Sequence, residues 1–199
     1  HADNGVYFQD PSTAYIDESV QIGSGTKILA NTHLLGDTTV GENCTIGPNS
    51  MITDSEVGSG STVLYSVISE SSTQEEVQVG PYAHLRPGSN LGKKVKVGSF
   101  AETKKSNIGD GSKVPHLAYV GDGEVGENVN FSAGSITVNY DGENKHKTTI
   151  EDGAFIGSDV MLVAPVTIGE GAYIGAGSVI TKDVPSKALG VERSEQKNI

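Results

Sequence analysis

Residues 150–180 read IEDGAFIGSDVMLVAPVTIGEGAYIGAGSVI and carry a medium-sized aliphatic at every sixth position: Ile150, Ile156, Leu162, Ile168, Ile174 and Ile180. The same spacing occurs near the start, at Ile22, Ile28, Leu34, Val40, Ile46 and Ile52. Six steps of an α-helix turn through about 600°, so these residues would wander round a helix instead of lining one face. Glycine follows the aliphatic directly in Ile22-Gly23, Val40-Gly41, Ile46-Gly47, Ile156-Gly157, Ile168-Gly169 and Ile174-Gly175, marking bends where a Cβ is unwelcome. Short strand, corner, short strand predicts an all-β parallel β-helix. Three faces of about six residues complete one coil, and stacked coils bury a column of aliphatics.

The motif continues through the middle with shifted phase, at Val57-Gly58, Val79-Gly80, Val97-Gly98, Ile108-Gly109 and Val125-Gly126. At about 18 residues per coil and roughly 4.8 Å between stacked strands, some 160 repeat residues predict about nine coils and a prism near 40 Å long. Twenty-six glycines, no tryptophan and many Val, Ile, Thr and Ser suit short strands and tight corners. The one cysteine, Cys44, lies inside a repeat and reads as a small core residue with no redox or metal role. No stretch approaches the roughly 20 apolar residues of a membrane span, and no signal peptide is visible, so the expected compartment is the cytoplasm. The opening HADNGVYFQDPS, without methionine, leads us to expect a piece of a longer protein.

Charge is distributed unevenly. Residues 1–80 hold one basic residue, Lys27, against eleven acidic ones. Residues 86–113 hold Arg86, Lys93, Lys94, Lys96, Lys104, Lys105 and Lys113 against only Glu102 and Asp110, a local surplus of +5 in a chain of net −11. Such a segment collects anions such as phosphates, although Lys93, Lys94, Lys96 and Lys105 also read as a solvated face. Nucleic acid is a poor partner, because the rest of the prism repels it and no aromatic stacking platform accompanies the basic segment.

Chemistry is expected where the rhythm is least regular, in VGPYAHLRPGSNLG (79–92), GSKVPHLAYVGD (111–122) and NVNFSAGSITVNYDGENKHKT (128–148). Arg86, held by Pro87 and Gly88, offers a guanidinium fork suited to phosphate. His116 has the near-neutral pKa range of a general base for an amine nucleophile; the alternative is a structural histidine.

These segments, with VGSFAETKKSNIG (97–109), GSDVMLVAPVTIGEGAYIGAGSVITKDVP (157–185) and the opening NGVYFQDPSTAYID, resemble the acetyltransferase half of the bacterial bifunctional enzyme N-acetylglucosamine-1-phosphate uridyltransferase/glucosamine-1-phosphate acetyltransferase. HLRPG, the Lys-x-x-His-Leu-x-Tyr-x-Gly-Asp string and ITVNYDG carry the resemblance, which covers essentially the whole chain. It implies a left-handed β-helix over residues 1–185, with 1–17 as the entry from an absent N-terminal uridyltransferase domain and 186–199 as a C-terminal extension. Handedness comes only from the resemblance, since general crossover preference favours the right-handed form. The resemblance further implies a homotrimer with active sites between subunits.

The implied reaction is acetyl transfer from acetyl-CoA to the amine of glucosamine 1-phosphate, feeding UDP-N-acetylglucosamine, peptidoglycan and cell shape, with no metal for this step. Residue by residue, it implies His116 as catalytic base, Arg86, Lys104, Tyr119 and Asn130 as sugar-phosphate contacts, and Asn139 with Tyr140 at the junction of the two substrates. Ala133, Ser158, Ala176 and Arg193 are implied to line the acetyl-CoA cleft. Ser132, Pro115 and Ala118 depart from the usual family residues. Other readings are a different hexapeptide-repeat acyltransferase, a non-catalytic β-helix module, or a zinc carbonic anhydrase, the last disfavoured because the five histidines show no close pair.

Overall fold

The computed structural model describes residues 1–198. It is an all-β, parallel, left-handed β-solenoid of about 10 turns. Its strands form three long sheets of 11, 10 and 9 strands. As far as Val179–Ile180, successive strands of the chain go to the first, second and third sheet in rotation, so each pairs with the strands one coil earlier and one coil later. The stack exceeds the nine coils expected because segments outside the aliphatic period join it. Tyr7–Phe8 pairs with Lys27–Ile28, Ala14–Ile16 with Thr32–Leu35, and Leu189–Gly190 with Tyr173–Ile174.

All twelve aliphatics of the two regular stretches are buried. In the first sheet Ile28, Ile46, Val63, Val79, Val97 and Val114 align register by register, so that one column of side chains fills the prism interior. Phe131 and Ile156 continue it with no accessible surface. Burial of each such side chain contributes about 1.5–3 kcal/mol. Cys44 faces this core, and burial pushes its thiol pKa up.

The glycines that follow the aliphatics serve close approach between coils. A Cβ at Gly157 would lie 2.6 Å from the Ile174 carbonyl oxygen and 2.7 Å from the Ala176 nitrogen. Corners that need a left-handed backbone are instead filled largely by other residues. Asn31, Asn49, Tyr65, Tyr82, Phe100 and Leu117 have φ of 56°, 51°, 48°, 60°, 59° and 47°. Asparagine tolerates this region; aromatic residues and leucine adopt it at a cost. Tyr82, Phe100 and Leu117 are nonetheless 56%, 62% and 64% exposed.

Among the described residues, no helix is long and apolar enough to cross a membrane.

Candidate active site

His116 ends the first-sheet strand Lys113–His116. Leu117 then turns the corner, its N–H donating to the Ser99 carbonyl at 3.0 Å, and Tyr119 opens the second-sheet strand Tyr119–Gly121. The imidazole is exposed. Lys113 registers with Asn130, Asn130 with Phe155, and Phe155 with Tyr173. Continuing these registers by three residues aligns His116, Ala133, Ser158 and Ala176 in one column along the prism edge. Bonds between coils fix that column: Asp159 N–H donates to the Ala133 carbonyl (2.8 Å), Gly177 N–H to that of Ser158 (2.8 Å), and Arg193 Nη1 to that of Ala176 (3.0 Å). The Ala133 N–H meets no backbone acceptor among the described residues. Four residues scattered over sixty positions of sequence thus become neighbours on one line.

Arg86 and Lys104 lie on the second sheet. The pairing of Leu85 with Thr103 continues to place Arg86 beside Lys104, and Lys104 registers with Gly121. Arg86 Nη1 donates to Glu102 Oε1 at 2.6 Å, and this bond pushes the guanidinium pKa further up. The ammonium of Lys145, then the charge of Arg86, pushes the Lys104 pKa down. Tyr119 folds over Gly121, where any Cβ would overlap its phenol. Gly121 is pinned by Thr137, whose Oγ1 accepts from the glycine N–H (2.8 Å) and donates to its carbonyl (2.9 Å). The outer face of the second sheet therefore runs from His116 at one edge, across Tyr119, to a cationic cluster at the other.

Asn139 follows the second-sheet strand Ile136–Val138, is 8% exposed, and donates from Nδ2 to Asp122 Oδ2 at 2.5 Å. Tyr140 is exposed and belongs to a loop that leaves the coil. Asp141 organises that loop. Its carboxylate accepts from the N–H groups of Asn144 (2.7 Å) and Glu143 (2.8 Å) and lies 2.6 Å from His146 Nε2. Together the Asn144 N–H, His146 and the Glu143 N–H hold its pKa well below the usual carboxylate range.

Asn130 Nδ2 donates to Ser132 Oγ at 2.7 Å, so one departure from the family pattern supports a site residue. Of the others, Ala118 is buried and Pro115 presents its carbonyl to Gly98, where a Cβ has no room. Lys93 and Lys94 point away from the cluster, toward Glu75 (3.2 Å) and Glu76 (3.8 Å). Sequence reading missed Glu102, Lys145 and Asp122. Only the position of Lys145, in a segment that breaks the repeat, offered a signal.

Coils of six-residue sides, with polar side chains displayed along one edge and the adjoining face, define a hexapeptide-repeat domain. The family described as bacterial transferase hexapeptide (six repeats) matches residues 19–54 and 147–182. The bifunctional protein GlmU of Carboxydothermus hydrogenoformans is 55% identical over 194 residues, which are 98% of this chain and 44% of that protein. That of Caldanaerobacter subterraneus subsp. tengcongensis is 57% identical over 198 residues, 100% of this chain and 43% of that protein. The chain thus spans less than half the length of the curated relatives it matches. The solved UDP-N-acetylglucosamine acyltransferase of Francisella novicida shares the fold, with a TM-score of 0.57 at 17% identity over 92% of this chain and 65% of that one. Over essentially its whole length the chain matches the C-terminal hexapeptide-repeat region of bifunctional GlmU proteins.

Proposed function

We propose that this domain transfers the acetyl group of acetyl-CoA to the amine of glucosamine 1-phosphate. The observation that carries this reading is the second-sheet face, with a free imidazole at one edge and Arg86, Lys104 and Lys145 gathered at the other. Those three cations suit a sugar phosphate, and Tyr119 lies between them and His116 to receive the ring. Asn130 and Asn139 complete the polar surround. Ala133, Ser158, Ala176 and Arg193 receive acetyl-CoA along the edge, and Tyr140 contributes from the loop at the opposite end of the second-sheet face.

His116 accepts a proton from the amine as nitrogen attacks the thioester carbon. The C–N bond forms, the carbonyl oxygen becomes an oxyanion, and the Ala133 N–H donates to it. Collapse then breaks the C–S bond and releases coenzyme A as its thiol, which takes the proton. Proximity supplies much of the acceleration, so no covalent acetyl-enzyme is required. The product suits uridylylation by the remainder of the family protein, toward UDP-N-acetylglucosamine and cell-wall polymers, in the cytoplasm; we assign no uridylyl transfer to residues 1–199. A homotrimer is part of the reading, supported by the strained, exposed corner row Tyr82, Phe100 and Leu117 beside His116.

The test is thiol release from acetyl-CoA with glucosamine 1-phosphate, and with other amines and hydroxyl acceptors for comparison. His116→Ala should lower kcat by about two orders of magnitude or more, the usual size of a general-base contribution, while leaving the fold intact. Rates near the parent would remove His116 from this role. Faster turnover of another acceptor would overturn the substrate assignment.

A further inference from the structure

The loop over residues 139–147 stands on two feet, and both rest on one short piece of the preceding coil. At its start Asn139 Nδ2 donates to Asp122 Oδ2 (2.5 Å), and at its end Lys147 Nζ lies 2.8 Å from Glu124 Oε1. Between the feet the loop is tied by its own bonds, among them the His146 N–H to the Asn139 carbonyl (2.8 Å) and a bridge pairing Tyr140 with Lys145. The Asp122 N–H in turn donates to the Lys104 carbonyl (3.0 Å), so the loop's first foot stands beside Lys104, and the ammonium of Lys145, two residues before Lys147, pushes the Lys104 pKa down.

Glu124 touches none of the reacting groups, yet it is fixed more firmly than an ordinary surface carboxylate. It terminates a row of side chains on the third sheet. Ser72 Oγ donates to Asn90 Oδ1 (2.7 Å), Asn90 Nδ2 to Asn107 Oδ1 (2.9 Å), and Asn107 Nδ2 to both Glu124 oxygens (2.9 and 3.0 Å). Each amide gives its N–H toward the carboxylate, so the row is polarised in one direction, which strengthens every bond in it. The end of that row then meets Lys147.

Such anchoring answers a physical difficulty at the anion site. Two ammonium groups held together repel, and a free loop would swing away to relieve that repulsion. Substrate would then have to order the loop as it bound, which costs affinity. A loop already seated turns the repulsion into attraction as soon as a phosphate arrives between the two lysines.

We propose that Glu124, aligned by the Ser72–Asn90–Asn107 row, is a positioning residue that seats the 139–147 loop through Lys147, so that Lys145 closes on Lys104 and completes the phosphate site. This rests on the sugar-phosphate reading given above.

Three variants test it: Glu124→Gln, Glu124→Lys and the charge-swapped pair Glu124→Lys with Lys147→Glu. Because an exposed ion pair adds little to stability, Tm should stay within about 3 °C of the parent in all three. Glu124→Lys should raise KM for glucosamine 1-phosphate about tenfold, and Glu124→Gln less, with KM for acetyl-CoA within about twofold of the parent. Hydrogen exchange at residues 145–147 should quicken about tenfold in Glu124→Lys, and the swapped pair should restore most of both effects. Unchanged KM and unchanged exchange in Glu124→Lys, or a swapped pair that restores neither, would overturn the proposal. Should the parent fail to acetylate glucosamine 1-phosphate, the functional reading falls, and the exchange rates still decide whether Glu124 seats the loop.

Discussion

Arg86 donates to Glu102 at 2.6 Å between neighbouring strands of the second sheet, and both side chains remain 37% exposed. The carboxylate gives the guanidinium a fixed direction while leaving part of its fork available to a ligand. In Glu102→Gln the charge that orients Arg86 is lost, and Arg86 spreads over several rotamers. We expect KM for glucosamine 1-phosphate to rise about fivefold, with kcat within about twofold and Tm within about 2 °C, because a partly exposed pair contributes little to folding. Steady-state kinetics with a melting curve separates the two effects; a large fall in Tm would mark the pair as structural instead.

Lys104 carries a pH signature. The adjacent Lys145 ammonium, then the charge of Arg86, lowers its pKa below the ordinary lysine value. Its folded pKa thus lies below its unfolded one, so the protein gains stability as pH rises from the folded toward the unfolded value. Phosphate binding shows the opposite trend, since a neutral amine no longer attracts the anion. Affinity for inorganic phosphate or glucosamine 1-phosphate should fall as pH climbs through the lowered Lys104 pKa, below the usual value of about 10.4. Lys145→Met should weaken binding at neutral pH by about tenfold and also move that fall to higher pH, because the repulsion is gone. Calorimetric titrations from neutral pH upward read both changes. A falling limb that stays in place would mean that Lys145 does not act on Lys104.

Much of the scaffold was legible because its determinants repeat. A buried column needs one aliphatic per face, and Ile22 to Ile52 and Ile150 to Ile180 satisfy that need in sequence order. His116, Ala133, Ser158 and Ala176 were named through family resemblance, and the register explains why they belong together. Polar partnerships across coils were not legible. Arg86–Glu102, Lys104–Lys145 and Asn107–Glu124 join residues on different turns, at separations set by the lengths of individual corners and loops. The coils at either end were also hidden, since Tyr7–Phe8 lacks the aliphatic-glycine pair and Leu189–Gly190 carries it out of phase with the six-residue period that ends at Ile180.

Gly121 provides a steric test of the sugar face. A methyl group there would overlap the Tyr119 phenol, and Thr137 holds both backbone polar groups of Gly121 in place. The ring, rather than the strand, should therefore move in Gly121→Ala. Expected are at least about a tenfold loss in kcat/KM for glucosamine 1-phosphate and a loss of stability no greater than about 2 kcal/mol. Thr137→Val should do the reverse. It leaves Gly121 N–H and C=O without their side-chain partner in a buried site, costing about 1–3 kcal/mol in denaturant unfolding.

The corner row beside His116 bears on assembly. Tyr65 and Tyr82 have ring centroids 5.6 Å apart, Tyr82 and Phe100 stack at 5.5 Å, and Leu117 follows on the next coil. All four occupy left-handed backbone conformations, and Tyr82, Phe100 and Leu117 are more than half exposed. An aromatic ring held in a costly conformation and left facing water gains free energy if a second copy of the chain covers it. Phe100→Asp would place a charge in that contact without touching the core. Sedimentation should show the parent associated and the variant dissociating at least about tenfold more readily, since burying an unpaired carboxylate is strongly unfavourable. Activity of the variant should then depend on protein concentration, as it must if a neighbouring copy completes the site at His116. Equal association of parent and variant would place the contact elsewhere on the prism.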